Sequence, residues 1–310
     1  MNHHHANQQP LISIVIPSFN QGQFIEQAIT SVLGQNYPNI ELIVIDGGSS
    51  DQTLQIVEKY QHSIRHCISE PDHGQAEAIN KGFRLAQGDI LAWLNSDDMY
   101  LPCTLSKIAA AIGNTTEPAL VYGGALYFYE KTTYTFGELP PEFDPDQLTY
   151  FDYMIQPSTF WNRRVWETVG ELNEMYCYVL DWDWFIRASK ICQFTRLEGE
   201  YLAIYRLHGS HKSGTGKDAR QEEILRVVET YASQEWIAAY HDVYKVITPL
   251  RTWLYRLSRL KLYWLRYGLY PRLYLKYGKH CIEDIILSLL IVPHISTEPR
   301  FNRLKPYPSF

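Results

Sequence analysis

Four short segments concentrate the side chains that can do chemistry: Pro17-Ser18-Phe19-Asn20, Asp46-Gly47-Gly48-Ser49-Ser50-Asp51, Glu70-Pro71-Asp72-His73-Gly74 and Asn95-Ser96-Asp97-Asp98. The adjacent carboxylates Asp97 and Asp98 suit a hard divalent cation, which takes oxygen ligands and keeps waters or substrate phosphates in the rest of its shell. The same pair precedes Met99-Tyr100-Leu101-Pro102, so either acid can instead cap a helix starting near Pro102. No G-x-G-x-x-G follows the first apolar run and no Walker loop occurs anywhere, which takes most support from dinucleotide-oxidoreductase and P-loop readings.

Each segment follows a run that reads as a strand. Leu11 to Ile16 is a short β-branched run closed by Pro17, and Ile40 to Ile45, Ile64 to Ile68 and Asp89 to Leu94 read as three further strands. Between them, Gln23 to Leu33 and Gln75 to Ala86 carry apolar residues at helical spacing, and Asp51 is placed to cap a short helix through Leu54, Ile56 and Val57. Four strand–helix alternations with short connections predict an α/β fold with a parallel sheet covered on both faces. Ligands of such sheets bind outside the carboxyl ends of the strands, where the four polar segments fall. From Leu120 to Phe136 an aromatic-rich alternation predicts antiparallel strands or a hairpin. Ser158 to Trp161 reads as a further strand and Leu180 to Ile191 as a helix.

The 310 residues are 45% hydrophobic and 20% charged, enough to bury a sizeable core and too apolar for a disordered chain. A formal charge of −6 argues against a nucleic-acid binder. Five scattered cysteines without a C-x-x-C pair describe buried reduced thiols rather than a disulfide framework or zinc site. Met1 to Gln9 lacks the apolar core of a signal peptide and is expected to be a disordered tail. Ile285 to Pro293 is too short to span a bilayer, so a cytoplasmic protein is expected.

Read as whole motifs, Ser-Ile-Val-Ile-Pro-Ser-Phe-Asn from Ser13, Ile-Asp-Gly-Gly-Ser-Ser-Asp from Ile45, Ser-Glu-Pro-Asp-His-Gly-Gln-Ala-Glu-Ala-Ile-Asn-Lys-Gly from Ser69 and Gly-Asp-Ile-Leu-Ala-Trp-Leu-Asn-Ser-Asp-Asp from Gly88 resemble family 2 glycosyltransferases, including bacterial transferases that build surface polysaccharides. The resemblance runs from about Pro10 to Lys212. It implies a glycosyltransferase A-type fold, Rossmann-like, with a mixed, mainly parallel sheet flanked by helices. It also implies inverting transfer of a sugar from a nucleotide-sugar, a UDP-sugar by preference, to an acceptor hydroxyl on a lipid-linked or polysaccharide intermediate. Asp46 matches the aspartate that bonds the nucleobase, and Pro17, Ser18 and Asn20 match the first-strand loop against the nucleoside. Asn95 and Asp97 match positions near the ribose or phosphate, and Asp98 matches the ligand of Mn²⁺ or Mg²⁺. Asn95 stands where many members carry Asp. Glu77 stands where relatives often have Asp, and Lys81 either faces the donor or is a solvated helix charge.

An inverting transfer is a single in-line displacement, so a carboxylate must take the acceptor proton. Within Leu180-Asp181-Trp182-Asp183-Trp184-Phe185-Ile186-Arg187, Asp181 matches the family's base, although Leu180 replaces the usual Glu. Asp183 is spaced to pair with Arg187 at i+4. Tyr205-Arg206-Leu207-His208 resembles the family's later Tyr-Arg-x-His segment, which brings His208 to the metal or the diphosphate, with His211 and Lys212 adding positive charge over a leaving diphosphate. Trp182 and Trp184 either stack on a sugar or, on the simpler reading, pack in the core.

These assignments divide the chain into a tail (1–9), a nucleotide-sugar-binding half (10–117), an acceptor-binding and catalytic half of the same domain (118–242), and a helical extension (243–310). Lys245 to His280 carries nine basic residues and no acidic one, with Trp253, Leu257, Leu260 and Trp264 on one helical face. Residues 245–280 therefore make either a peripheral contact with an anionic membrane or a packing surface for protein. Two rivals are weighed: a non-catalytic nucleotide-sugar or glycan-binding module on the same fold, and a nucleotidyltransferase. The joint presence of Asp46, Asp97, Asp98 and Asp181 speaks against the first. The absence of a glycine-rich basic loop after the first strand speaks against the second.

Overall fold

The computed structural model describes residues 9–242 and Tyr244, apart from Asn114, Ser210 and residues 213–215. The basic aromatic segment 245–280 lies outside the described residues. The chain forms two compact units, residues 1–223 and 224–310. The described part of the second consists of the end of one helix (α8, Lys217–Tyr231) and a further helix (α9, Gln234–Asp242).

The first unit is built on a nine-stranded sheet. Its first half alternates as the apolar periods predict: β1 (Ile12–Ser18), α1 (Ile25–Leu33), β2 (Ile40–Asp46), α2 (Thr53–Glu58), β3 (His66–Ser69), α3 (Gln75–Leu85) and β4 (Ile90–Trp93). These four strands are mutually parallel in the order β3-β2-β1-β4, with β1 and β2 in register from Ile12↔Ile40 to Ser18↔Asp46. β2 and β3 lie on one side of β1 and β4 on the other, so the connections after β1 and β4 diverge and open a crevice beyond their carboxyl ends. The side chains of β1 are buried along its whole length, as a strand covered on both faces requires.

The second half departs from parallel order. β5 (Met99–Tyr100) and α4 (Thr104–Ile112) lead to β6 (Leu120–Tyr129) and β7 (Tyr134–Glu138), the hairpin expected from the aromatic alternation. α5 (Pro145–Leu148), a 3-10 turn (Gln156–Ser158), β8 (Thr159–Asn162), α6 (Arg163–Val169), α7 (Leu180–Ser189) and β9 (Phe194–Leu207) follow. The sheet continues from β4 as β8-β6-β9-β5, with β8 antiparallel to both its neighbours and β9 parallel to β6.

Two packing details set the site's floor. Trp93, Trp161 and Trp184 are fully buried and pack, mostly edge-on or tilted, with Phe83, Trp166 and Phe185 between the sheet and helices α6 and α7. Trp182 and Trp184 belong to this interior, donating their indole N–H groups to Leu148 O and Gly170 O at 2.7 and 2.9 Å. Gly82 lets α3 lie directly on β1, because a Cβ there would overlap Val15 Cγ1 and approach Cγ2 to 2.9 Å. Gly82→Ala is accordingly expected to lower the unfolding free energy by about 1–3 kcal/mol, the range for overfilling a packed core. Urea unfolding followed by tryptophan fluorescence reads this directly, and an unchanged midpoint would contradict the packing.

Candidate active site

The crevice beyond β1 and β4 is a cleft of about 430 Å³. Pro17 and Ser18 reach it from the end of β1 and Asn95 to Asp98 from the turn after β4. Asp72 and Gln75 approach from the start of α3, and Gln156 from the 3-10 turn. Asp181 enters from the first turn of α7, and Tyr205, Arg206, His211 and Lys212 from β9 and beyond. The tertiary fold thus brings residues from position 17 to position 212 around one opening.

Asp98 lies at its floor, 2% exposed. Its Oδ1 accepts the backbone N–H of Arg206 at 2.9 Å and its Oδ2 the amide of Asn95 at 3.4 Å. Burial, reinforced by the like charge of Asp97, still pushes its carboxyl well above the usual range. Arg206 is itself buried. Its Nε donates to Asp97 O at 2.9 Å, one terminal nitrogen donates to Gln27 Oε1, and the guanidinium sits 5.0 Å from the centre of the Phe24 ring. His208 Nε2 lies 3.0 Å from Asp97 Oδ2, with its ring 4.5 Å from Phe24. His208 therefore meets the acid pair through Asp97.

Among the described residues, no three His, Cys, Asp or Glu side chains converge as a cation-holding group. The pair Asp97–Asp98 nevertheless fits a cation of the Mg²⁺ type, which is usually held by one or two carboxylates and completes its shell with water and phosphate. The strained ionisation of Asp98 fits the same conclusion, since two carboxylates in a closed site are relieved by positive charge.

Asp181 lines the same cleft, its Oδ1 accepting the N–H of Trp182 at 2.9 Å. Enclosure raises its carboxyl above the ordinary value, and Arg220 and Lys212 partly offset this. Asp152, from the loop before the 3-10 turn, is its electrostatic neighbour. Burial and the charge of Asp181 push Asp152 well upward. Asp183 pairs with Arg187 at 3.0 Å, as its i+4 spacing predicts, and is 3% exposed.

A chain of amides crosses the floor. Lys212 Nζ donates to Gln75 Oε1 at 2.9 Å, Gln75 Nε2 to Asn95 Oδ1 at 2.7 Å, Asn95 Nδ2 to Gln156 Oε1 at 3.1 Å, and Gln156 Nε2 to Trp93 O at 2.9 Å. Asn95 is thus held from both ends, which a carboxylate at this position could not achieve because it has no hydrogen to give Gln156. The wall formed by Cys177 and Tyr178 is held by Glu223, whose carboxylate accepts both backbone N–H groups at 2.7–3.1 Å.

Three of the residues expected at the donor are outside the cleft lining. Asp46 is wholly buried and spends its oxygens on its own loop and on the end of β3: Oδ2 accepts Gly48 N, Ser49 N and Ser69 Oγ at 3.1, 2.9 and 2.7 Å, and Oδ1 accepts Ser49 Oγ at 2.5 Å. Asp72, stacked against Gly47, is the carboxylate that lines the cleft on this side. Asn20, in the left-handed region at φ 52°, accepts Ser50 N at 2.9 Å and ties the β1 loop to the β2 loop. Lys81 turns to Glu70 at 2.6 Å, while Asn80 brackets Leu172 through its backbone N–H and C=O. Glu77 accepts the backbone N–H and meets the ring of His73 rather than facing the cleft. Gln156 and Asp152 join the site with no motif to mark them, whereas Gln75 lies inside the segment from Ser69. Arg206 lay inside the Tyr-Arg-x-His segment, which was the available signal.

The comparisons agree with this architecture. The family model described as "Glycosyl transferase family 2" matches residues 13–166. A "PGL/p-HBAD biosynthesis glycosyltransferase" of Mycobacterium tuberculosis is 32% identical over 205 residues, covering 64% of this chain and 78% of the relative. An uncharacterized glycosyltransferase of Rickettsia typhi is 26% identical over 302 residues, covering 90% of this chain and 91% of its own. Among solved structures, S. aureus TarS 1-349 in complex with UDP-GlcNAc superposes with a TM-score of 0.56 at 18% identity over 75% of this chain and 72% of that one. The mannosyltransferase PcManGT from Pyrobaculum calidifontis, in complex with GDP-Man and Mn²⁺, gives 0.58 at 15% over 91% and 86%. The chain belongs to glycosyltransferase family 2 and is a glycosyltransferase with a glycosyltransferase A-type fold. No described helix is long and apolar enough to cross a membrane.

Proposed function

We propose that this protein transfers a sugar, with inversion, from a nucleotide-sugar to a hydroxyl of a lipid-linked or glycan acceptor. The observation that carries the reading is the placement of Asp181 in one cleft with the Asp97–Asp98 pair. UDP-GlcNAc and GDP-Man in the structural neighbours support a nucleotide-sugar donor, of which a UDP-sugar is preferred.

In this reading Pro17 and Ser18 bound the nucleoside, with Asp72 on the same side of the cleft. Asp97 and Asp98 hold a divalent cation, Mn²⁺ or Mg²⁺. When bound, that ion neutralises charge on the departing diphosphate. Lys212 and His211 reach the same opening and add cationic character where that charge develops. Asp181 takes the proton from the acceptor hydroxyl as its oxygen attacks the anomeric carbon, and enclosure raises its basicity for this task. The walls hold both reactants in line, which removes part of the entropic barrier. Synthesis at the cytoplasmic face of a membrane, with residues 245–280 as the contact, belongs to the same proposal.

The test is release of nucleoside diphosphate from a panel of nucleotide-sugars, with and without Mn²⁺, by the wild type and Asp98→Asn. One donor should be hydrolysed slowly in a metal-dependent manner, and the variant should lose at least tenfold. Equal rates in the two proteins would refute the role of Asp98. No UDP or GDP binding by calorimetry would refute the donor assignment.

A further inference from the structure

Aromatic rings of β6, β7 and β9 form a ladder that begins in the cleft wall and ends at the surface. Strand alternation places Tyr127 and Tyr129 on one face of β6, opposite Phe136 and Tyr134 of β7 and, for Tyr127, opposite Tyr205 of β9. Tyr205 lines the cleft, and its ring centre is 5.1 Å from that of Tyr127. Tyr127 stacks on Phe136 at 5.0 Å, and Phe136 lies 6.1 Å from both Tyr129 and Tyr134. Burial falls along the run: Tyr127 is 8% exposed, whereas Tyr129 and Tyr134 are 41% and 44% exposed. Single exposed apolar residues need no explanation, but a connected row continuous with a site does.

We propose that this ladder is the acceptor subsite and that it takes a neutral pyranose ring of the acceptor glycan. The inference rests on the glycosyltransferase reading above. An acceptor hydroxyl that reaches Asp181 leaves the rest of its molecule to exit past the cleft wall, and the ladder is continuous with that wall at Tyr205. A pyranose presents an apolar C–H face with a hydroxyl rim, which matches tyrosine rings that are apolar in body and polar at the tip. Glu138 at the end of β7 and Glu130 just beyond β6 flank the rings against a single lysine in the turn, Lys131, so an anionic phosphate or headgroup is disfavoured there.

Saturation-transfer NMR with a panel of neutral methyl pyranosides and disaccharides tests this, with UDP and Mn²⁺ present as an internal reference. The wild type should transfer saturation to the C–H protons of at least one sugar. Tyr129→Ala combined with Tyr134→Ala should cut that signal at least fivefold, whereas the matching Phe pair, which keeps the rings, should retain most of it. The single change Tyr134→Ser covers the case in which the double variant does not fold, and should cut the signal at least twofold. Absence of sugar signal in the wild type, or equal signal in the alanine variant, would overturn the subsite. So would flotation with phosphatidylcholine vesicles that is lost in the alanine variant, because the ladder would then serve lipid. Sugar signal without UDP signal in the wild type would leave the subsite standing and remove the donor reading instead.

Discussion

Asp181→Asn should abolish sugar transfer, lowering kcat by about a thousandfold, within the range of general-base contributions. That loss corresponds to about 4 kcal/mol of barrier. The amide keeps the size of the side chain and an oxygen for the Trp182 N–H, so nucleotide affinity measured by calorimetry should change less than threefold. The pH profile sharpens the test. Because enclosure raises the Asp181 carboxyl, the wild-type rate should increase with pH through a value above that of an ordinary aspartate, the base being active only when deprotonated. Burial and the charge of Asp181 keep Asp152 protonated at pH values where Asp181 is already ionised, so Asp152→Asn removes no charge there and should leave the acid limb of the profile where it is in the wild type. A kcat within fivefold of wild type in Asp181→Asn would assign the base elsewhere.

Arg206→Ala should have the largest effect on stability of any change at the site, about 3–5 kcal/mol, the cost of removing one partner from a buried charge network. The guanidinium satisfies Asp97 O and Gln27 Oε1, covers Phe24, and offsets the charge of Asp98. Removing it takes from Asp98 the positive charge that offsets its burial and leaves Asp97 O and Gln27 Oε1 without this donor. Urea unfolding should show a midpoint well below that of the wild type, and nucleotide binding should weaken with it. Arg206→Lys should recover only part of the loss, because an ammonium cannot reproduce the planar fork that spans Asp97 O and Gln27. An unfolding midpoint equal to that of the wild type would show the network to be dispensable.

Local sequence determined the parallel half of this protein. Apolar runs ended by Pro17, Asp46 and Asn95, and helical spacing in α1 and α3, are signals carried within a dozen residues, so strand order aside, the elements and their polar ends were legible. The same holds for Asp97, Asp98 and Asp181, whose motifs are contiguous, and for the Asp183–Arg187 pair, fixed by helix geometry. What only the tertiary structure decided was the use of each polar group. Whether Asp46 faces a ligand or braces a loop depends on Ser69, twenty-three residues away, and whether Lys81 is free for a donor depends on Glu70 across the β3–α3 turn. Gln75 and Gln156 acquire their places only when Lys212 and Asn95 come within hydrogen-bonding distance, and an amide carries no mark of such a partner in its own neighbourhood of sequence. The antiparallel insertion of β8 between β4 and β6 sets these long-range meetings, because it brings the 3-10 turn and β9 to the mouth opened by β1. Hydrophobic period specifies which segments form elements; the pairing of distant strands specifies which of their polar ends share a cleft.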